Sequence, residues 1–151
     1  MAEIAEDQPL IEPRAAWPKQ FWAYMLRVYP VAGTPTHPAY LGNLDFASAT
    51  YQMPTDFTAL GNLFLIIRPT ATANRTLSIT IRFAQTGEAY NTHTQTQAVV
   101  VPLVNLVLYG LDLVPLFGAL LANLTPGDHM EVLVQLTIGF DVYICGLDGR
   151  Y

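Results

Sequence analysis

The segment Asp128-His129-Met130-Glu131 holds the closest local set of side chains that could ligate a metal ion or move a proton. Side chains alternate between the two faces of an extended chain, so only His129 and Glu131 would share a face. Two ligands are too few for a closed metal site. The segment therefore predicts a turn with an acidic residue, no metal site and no cofactor. A metal held by one histidine from each subunit of a symmetric oligomer stays open.

The candidate nucleophiles lack the surroundings that hydrolysis needs. The serines of the chain are Ser48 and Ser78, and Ser48 stands in Ala-Ser-Ala, not in the Gly-flanked elbow that exposes a hydrolase nucleophile. Cys145 lies among apolar residues, where a thiol is typically inert. The carboxylates are dispersed, so no acid pair for glycoside hydrolysis is indicated. These patterns predict no catalytic residue and a protein that is not an enzyme.

Composition limits the partners. Of the 151 residues, 52% are hydrophobic and 13% charged, and the formal net charge is −5. Phosphate backbones and anionic lipids are bound by clustered Lys and Arg, so neither nucleic acid nor such a membrane surface is expected. Residues 98–121 are apolar, but Asp112 would cost about 2.5–3.5 kcal/mol at the centre of a membrane span, which we therefore do not expect. No signal-peptide pattern is visible, which predicts synthesis in the cytoplasm.

Alternating hydrophobic residues predict the strands that would carry any site. Residues 76–83 alternate strictly between polar and apolar side chains, and residues 63–68 form an apolar run just before them. Together they predict a hairpin with a loop over residues 69–75. Further strands are predicted over residues 21–29, 103–109 and 130–138, with a final strand after residue 141.

The pattern changes near residues 113–124, where Pro115 suits a first helical turn and apolar residues recur at spacings of three and four. One short helix is predicted there. Residues 1–19 combine three prolines with an acidic cluster, which predicts an extended N-terminal arm. The predicted fold class is all-β: an antiparallel β-sandwich or jelly-roll-like barrel of about 7–8 strands in one domain, residues 20–151.

Two groups of residues are predicted to contact another chain. The first is the set of apolar arm residues, whose exposure to water would be unfavourable and which could pack on a neighbour or back onto their own domain. The second is a polar run whose side chains can hydrogen bond to a neighbouring subunit. The candidate interface residues are Leu10, Ile11, Trp17, Thr92, His93, Thr94, Gln95 and Thr96.

The low charge and high hydrophobic content favour assembly. We expect a non-enzymatic structural protein that forms a symmetric homo-oligomer or coats a larger particle with another structural protein, such as a virion capsid, decoration or tail component. One alternative is a ligand-binding β-sandwich module with an apolar pocket between its sheets, lined by Trp22, Tyr24, Tyr109 and Phe140. Another is an extracellular filament subunit that exchanges a strand with its neighbour.

Overall fold

A computed structural model describes residues 19–28, 39–42, 44–138 and 142–151. In this part of the chain, ten strands form two antiparallel sheets with the core between them. The first sheet consists of β1 (Gln20–Tyr24), β3 (Ala39–Leu41), β5 (Asn62–Pro69), β8 (Tyr109–Asp112) and β10 (Val142–Arg150). The second consists of β2 (Leu26–Val28), β4 (Phe46–Gln52), β6 (Ala73–Ala84), β7 (His93–Leu103) and β9 (His129–Ile138). The predicted all-β sandwich is confirmed, with more strands than expected.

The strand order explains which side chains meet in the core. In the first sheet β10 lies between β5 on one side and both β1 and β3 on the other, while β8 pairs with the far edge of β5. The second sheet has the order β2-β4-β9-β6-β7. Alternate residues face inward, as Leu77, Ile79 and Ile81 do on β6, and these are fully buried. Each such side chain contributes about 1.5–3 kcal/mol by leaving water.

The helix α1 (Val114–Leu121) confirms the helix predicted near residues 113–124. Pro115 lies in its first turn, where a missing backbone N–H has no cost. The Asp112 carboxylate accepts hydrogen bonds from the backbone nitrogens of Val114 and Leu63, each at 3.1 Å. This carboxylate therefore ties the start of the helix to β5. In the described residues, no helix has the length and apolarity needed to span a membrane.

The predicted hairpin over residues 63–83 is wrong. The strands β5 and β6 are consecutive in sequence, but β5 pairs with β8 and β10 in the first sheet, while β6 pairs with β7 and β9 in the second. The short connection between them crosses from one sheet to the other. Both strands alternate because each has one face on the shared core, and that pattern specifies a buried face without specifying a partner strand.

Two other predicted strands differ from the structure. The single strand expected over residues 21–29 changes sheets at Met25, which is fully buried between β1 and β2. The strand expected over residues 103–109 is wrong, because β7 ends at Leu103 and residues 104–108 form an exposed turn before β8. The apolar side chains of that turn are therefore exposed to solvent and are not part of the core.

The two ends of the sandwich differ in character. The polar end comprises residues 19–20, 50–62, 82–93, 125–131 and 148–151, where β1 begins, β6 ends and β9 begins. The opposite end carries a set of exposed apolar side chains and is called the apolar end. Its members are Leu44, Val100, Val104, Leu106, Val107, Leu108 and Ile138.

Candidate functional site: a groove at the polar end

A groove of about 640 Å³ opens at the polar end, over the outer face of the second sheet. Its floor is a row of residues that strand pairing places side by side. Thr50 on β4 pairs with Glu131 on β9, and Glu131 pairs with Arg82 on β6. These side chains face outward because their neighbours along each strand face the core. His129 and Gln52, also paired, continue the floor toward the end of the sheet.

Tyr90 forms an aromatic wall of this groove. The loop that carries it connects β6 to β7, and 69% of the tyrosine surface is exposed. The guanidinium carbon of Arg82 lies 4.9 Å from the centre of the Tyr90 ring, a distance at which a cation and an aromatic ring attract each other. Arg82 also forms a short salt bridge and hydrogen bond with Glu131. Glu131 therefore holds the cation that positions the ring.

The loop around Tyr90 is fixed at both of its ends. The Glu88 carboxylate accepts a hydrogen bond from the Gln85 backbone nitrogen at 2.8 Å. On the other side of Tyr90, the Thr92 hydroxyl donates to the Ala89 carbonyl at 2.6 Å. Gly87 has a φ of +97°, a conformation that a residue with a side chain rarely adopts. The loop conformation is thus established before any ligand arrives.

A buried carboxylate anchors the same loop to the body of the sandwich. Asp128 is only 3% exposed. Its two carboxylate oxygens accept hydrogen bonds from the Gln85 amide at 2.7 Å and from the Thr125 backbone nitrogen at 2.7 Å. Asp128 thus connects the start of the β6–β7 loop to the turn before β9, as a structural element of the groove.

The Asp128-Glu131 segment has the placement that its alternation predicted. His129 and Glu131 line the groove, while Asp128 points into the turn. The Thr86 hydroxyl and His129 Nε2 are 3.2 Å apart. Within the described residues, no three His, Cys, Asp or Glu side chains are placed to hold a metal ion. At the other sheet, burial raises the pKa of the Cys145 thiol, with a smaller opposing effect of Arg68, so the protonated, unreactive form is favoured.

The candidate interface residues are distributed over three environments. Thr94 and Thr96 are exposed on the outer face of β7, and Thr94 pairs with Arg82 beside the groove. His93 and Gln95 are half-buried on the inner face, where the His93 ring stacks on Phe83 with centroids 4.8 Å apart. Thr92 belongs to the loop before β7. The arm residues Leu10, Ile11 and Trp17 lie outside the described residues.

The pocket expected between the sheets is not lined as predicted. Trp22 and Tyr24 are 43% and 60% exposed on the outer face of the first sheet, where their rings meet edge to face at 5.9 Å. Their alternation with the buried Phe21 and Ala23 directs them outward. Tyr109 is half-buried and Phe140 lies outside the described residues. The groove that the structure does form lies on the surface of the other sheet.

No sequence pattern singled out Tyr90, Arg82 or Gln52 as a site residue. A signal for Tyr90 was present, since it stands in the polar connection Gly87-Glu88-Ala89-Tyr90-Asn91, where no strand pattern assigns an aromatic ring to a core. In the sequence, Arg82 is only one of the polar residues of an alternating strand. Its role depends on the pairing of β6 with β9, which alternation does not specify.

No family model matches the sequence, and no curated protein matches it. Among solved structures, the fold is similar to the CBM36-1 domain of a multidomain xylanase from the hindgut metagenome of Trinervitermes trinervoides. The likeness has a TM-score of 0.50 and covers 87% of this chain and 96% of that chain, at 14% sequence identity. At this level of identity, the likeness shows a shared β-sandwich fold.

Proposed function

We propose that this chain is a non-enzymatic ligand-binding β-sandwich whose groove at the polar end binds a carbohydrate. The observation that carries the proposal is Tyr90, a largely exposed aromatic ring held beside a polar groove by Arg82 and Glu131. A sugar ring presents an apolar C–H face together with hydroxyl groups. A binding site for it therefore needs an aromatic surface and several hydrogen-bonding side chains, as this groove has.

The lining of the groove favours this ligand class over others. Gln52, Thr50, Thr86 and His129 supply neutral donors and acceptors. A lipid chain would leave these groups without partners, which is unfavourable. A phosphate ligand would need spare positive charge, but Arg82 is already paired with Glu131 in a chain of net charge −5.

Two further features support binding without catalysis. The carboxylates that line the groove are engaged in the fold, Glu131 with Arg82 and Glu88 with the Gln85 backbone nitrogen. Glycoside hydrolysis needs an acid and a second carboxylate free to act on the substrate. The similar solved structure is a CBM36-1 domain, which its name describes as a carbohydrate-binding module, from a xylanase. That likeness supports the ligand class as an analogy of fold.

Calorimetric titration with soluble oligosaccharides of xylose, glucose and mannose tests the proposal. We expect at least one of them to bind, and Tyr90→Ala to weaken binding about tenfold, which corresponds to about 1.4 kcal/mol. The matched control is Tyr24→Ala, which removes an exposed tyrosine from the other sheet and should leave binding unchanged. The proposal fails if no oligosaccharide binds, or if Tyr90→Ala binds as tightly as the original chain.

The hypothesis of a virion capsid, decoration or tail component receives no support from the fold likeness. Its more general element, self-association, stays a prediction.

A further inference from the structure

The strand β7 forms one edge of the second sheet and, within the described residues, pairs with β6 alone. Edge strands are usually protected from pairing with other chains by short length, charged side chains, prolines or bulges. The other edge strands, β1, β2, β3 and β8, are three to five residues long. In contrast, β7 has 11 residues, none of them Asp, Glu, Lys or Arg, and its register with β6 has no shift. It is therefore a long edge strand with little protection.

The hydrogen bonds of the neighbouring strands establish which backbone groups of β7 face outward. The backbone nitrogen of Leu136 on β9 donates to the Asp45 oxygen at 3.1 Å, so Leu136 bonds away from β6. Its partner on β6, Leu77, then bonds toward β7, where it pairs with Val99. Val99 is therefore bonded to β6, and the residues that alternate with it direct their N–H and C=O groups to the free edge. These residues are Thr94, Thr96, Ala98 and Val100.

Pro102 agrees with this assignment. It falls in the same alternation, and proline lacks a backbone N–H, so it is accommodated where that group would face away from the sheet. The four outward residues are exposed, and no other described residue forms a hydrogen bond with their outward backbone groups. The helix α1 accepts a hydrogen bond from the Gln97 side chain at its Leu116 carbonyl, and Gln97 belongs to the set bonded to β6. The outward groups are thus available to another strand.

A strand that covers this edge has to be long and free of charge, with a hydrogen-bonding residue at every second position. Residues 1–18 do not supply one, because Pro9, Pro13 and Pro18 interrupt the segment and three carboxylates precede Pro9. The strand β7 of a second copy does supply one. Two uncharged strands of 11 residues can pair without a like-charge contact, even in a chain of net charge −5.

We propose that two copies of this chain associate by antiparallel pairing of their β7 strands about a two-fold axis. With the axis at Gln97, Thr94 lies opposite the partner's Val100, and Thr96 lies opposite the partner's Ala98. These pairs and their symmetry equivalents exchange about eight backbone hydrogen bonds. An axis at a neighbouring residue would leave fewer complete pairs. The contact is isologous and forms a closed dimer in which the two second sheets are continuous, and it does not rest on the carbohydrate groove.

Charge substitutions on the exposed face of β7 test this pairing, because residues 96 and 98 of the two copies would lie opposite each other. One variant carries Thr96→Lys with Ala98→Lys, and a second carries Thr96→Glu with Ala98→Glu, so each places like charges at the contact without touching the core. By light scattering on a sizing column, we expect the mass of the original chain to rise with concentration from 16.7 kDa toward twice that value. Each variant alone should stay at 16.7 kDa at the same concentrations, and an equimolar mixture should recover the pair.

The matched control is Thr58→Lys with Ala59→Lys, which adds the same charges to exposed residues of the same types between β4 and β5. It should associate as the original chain does. Recovery of the pair in the mixture requires both β7 variants to be folded, which excludes misfolding as the cause of their separate behaviour. Tyr90→Ala should also associate normally, so failure of the carbohydrate proposal remains distinguishable from failure of this one.

Amide hydrogen exchange locates the contact on the strand. When the original chain is diluted, the amides of Thr94 and Val100 should lose protection, while those of Gln95 and Val99, which are bonded to β6, should keep it. Three results would overturn the proposal: an original chain that is monomeric at every concentration, charged variants that each associate as the original chain does, or a mixture that stays monomeric.

Discussion

At the polar end, the start of the β6–β7 loop and the turn before β9 are held together by the buried carboxylate of Asp128. At the apolar end, the turn over residues 104–108 is held by the hydroxyl groups of Tyr109 and Thr72, which accept from exposed backbone nitrogens. Water can replace such acceptors when they are removed, but it cannot replace a buried carboxylate. The two ends should therefore respond to substitution by very different amounts.

The difference also separates two kinds of surface. The groove at the polar end presents hydrogen-bonding groups in fixed positions, which suits a ligand with many hydroxyl groups. The apolar end presents leucine and valine side chains, two of the leucines with a positive φ. The positive φ of these two leucines is unfavourable for the isolated domain.

Asp128→Ala gives the largest expected effect and tests the anchor of the polar end. The substitution removes a buried carboxylate, which accepts from the Thr125 backbone nitrogen and is one of the acceptors of the Gln85 amide. We expect the free energy of unfolding to fall by about 2–3 kcal/mol, measured by urea denaturation. Asp128→Asn, which keeps the shape and one acceptor oxygen, should lose less. A loss below about 0.5 kcal/mol for Asp128→Ala would show that the loop has other sufficient anchors.

Leu106→Asn tests the strain at the apolar end and acts in the opposite direction. Asparagine accepts a positive φ more readily than leucine, and the leucine side chain loses few contacts because it is 92% exposed. We expect the free energy of unfolding to rise by about 0.5–1 kcal/mol. Urea denaturation of both chains at the same low protein concentration measures the change.

The matched control is Val107→Asn. Val107 is exposed in the same turn, and it is not among the described residues with a positive φ. It should give no gain in stability. Destabilisation by Leu106→Asn, or an equal gain in both variants, would contradict the interpretation that the positive φ of Leu106 is a source of strain.

Tyr109→Phe should have a smaller effect, because the hydroxyl that it removes serves an exposed donor. The Val104 backbone nitrogen loses its 2.8 Å hydrogen bond but gains access to water. We expect a loss of about 0.5 kcal/mol in the free energy of unfolding and faster amide hydrogen exchange confined to residues 104–108. A loss as large as that of Asp128→Ala would remove the proposed difference between the two ends.

The sequence predicts which residues are buried better than it predicts which strands pair. Alternation in β6 correctly predicted which residues are buried, and Pro115 correctly marked the start of a helix. The same alternation did not predict that β5 and β6 lie in different sheets, because a strand in a sandwich buries one face whichever neighbour it pairs with. Strand partners depend on contacts between residues far apart in sequence.

The candidate site was hidden for the same reason. Arg82, Glu131 and Tyr90 come from three separate segments and form one surface only after β6 has paired with β9. The exposed leucines of residues 104–108 were predicted to belong to a buried strand. The sequence does not distinguish an apolar side chain that faces the core from one that faces solvent. The high apolar content of the chain is nevertheless informative, because some of its large apolar side chains are exposed on the surface.

The exposed salt bridge between Lys19 and Asp56 gives the smallest expected effect and tests how the polar end depends on pH. The hydrogen bond with Lys19 lowers the pKa of Asp56 below its ordinary value of 3.8, and the same contact raises the pKa of Lys19 above 10.5. A carboxylate with a lowered pKa contributes stability above its ordinary pKa and loses that contribution as the pH falls; the lysine loses its contribution as the pH rises above 10.5.

Asp56→Asn should therefore have a slightly lower Tm than the original chain only between these two values, with the difference reduced by salt because both groups are exposed. Thermal melts of both chains at pH 2.5, 7 and 11.5, at about 0.02 and 0.5 M NaCl, measure it. An equal Tm difference at all three pH values would mean that Asp56 acts through its contact with the Tyr151 hydroxyl at 3.4 Å and not through charge.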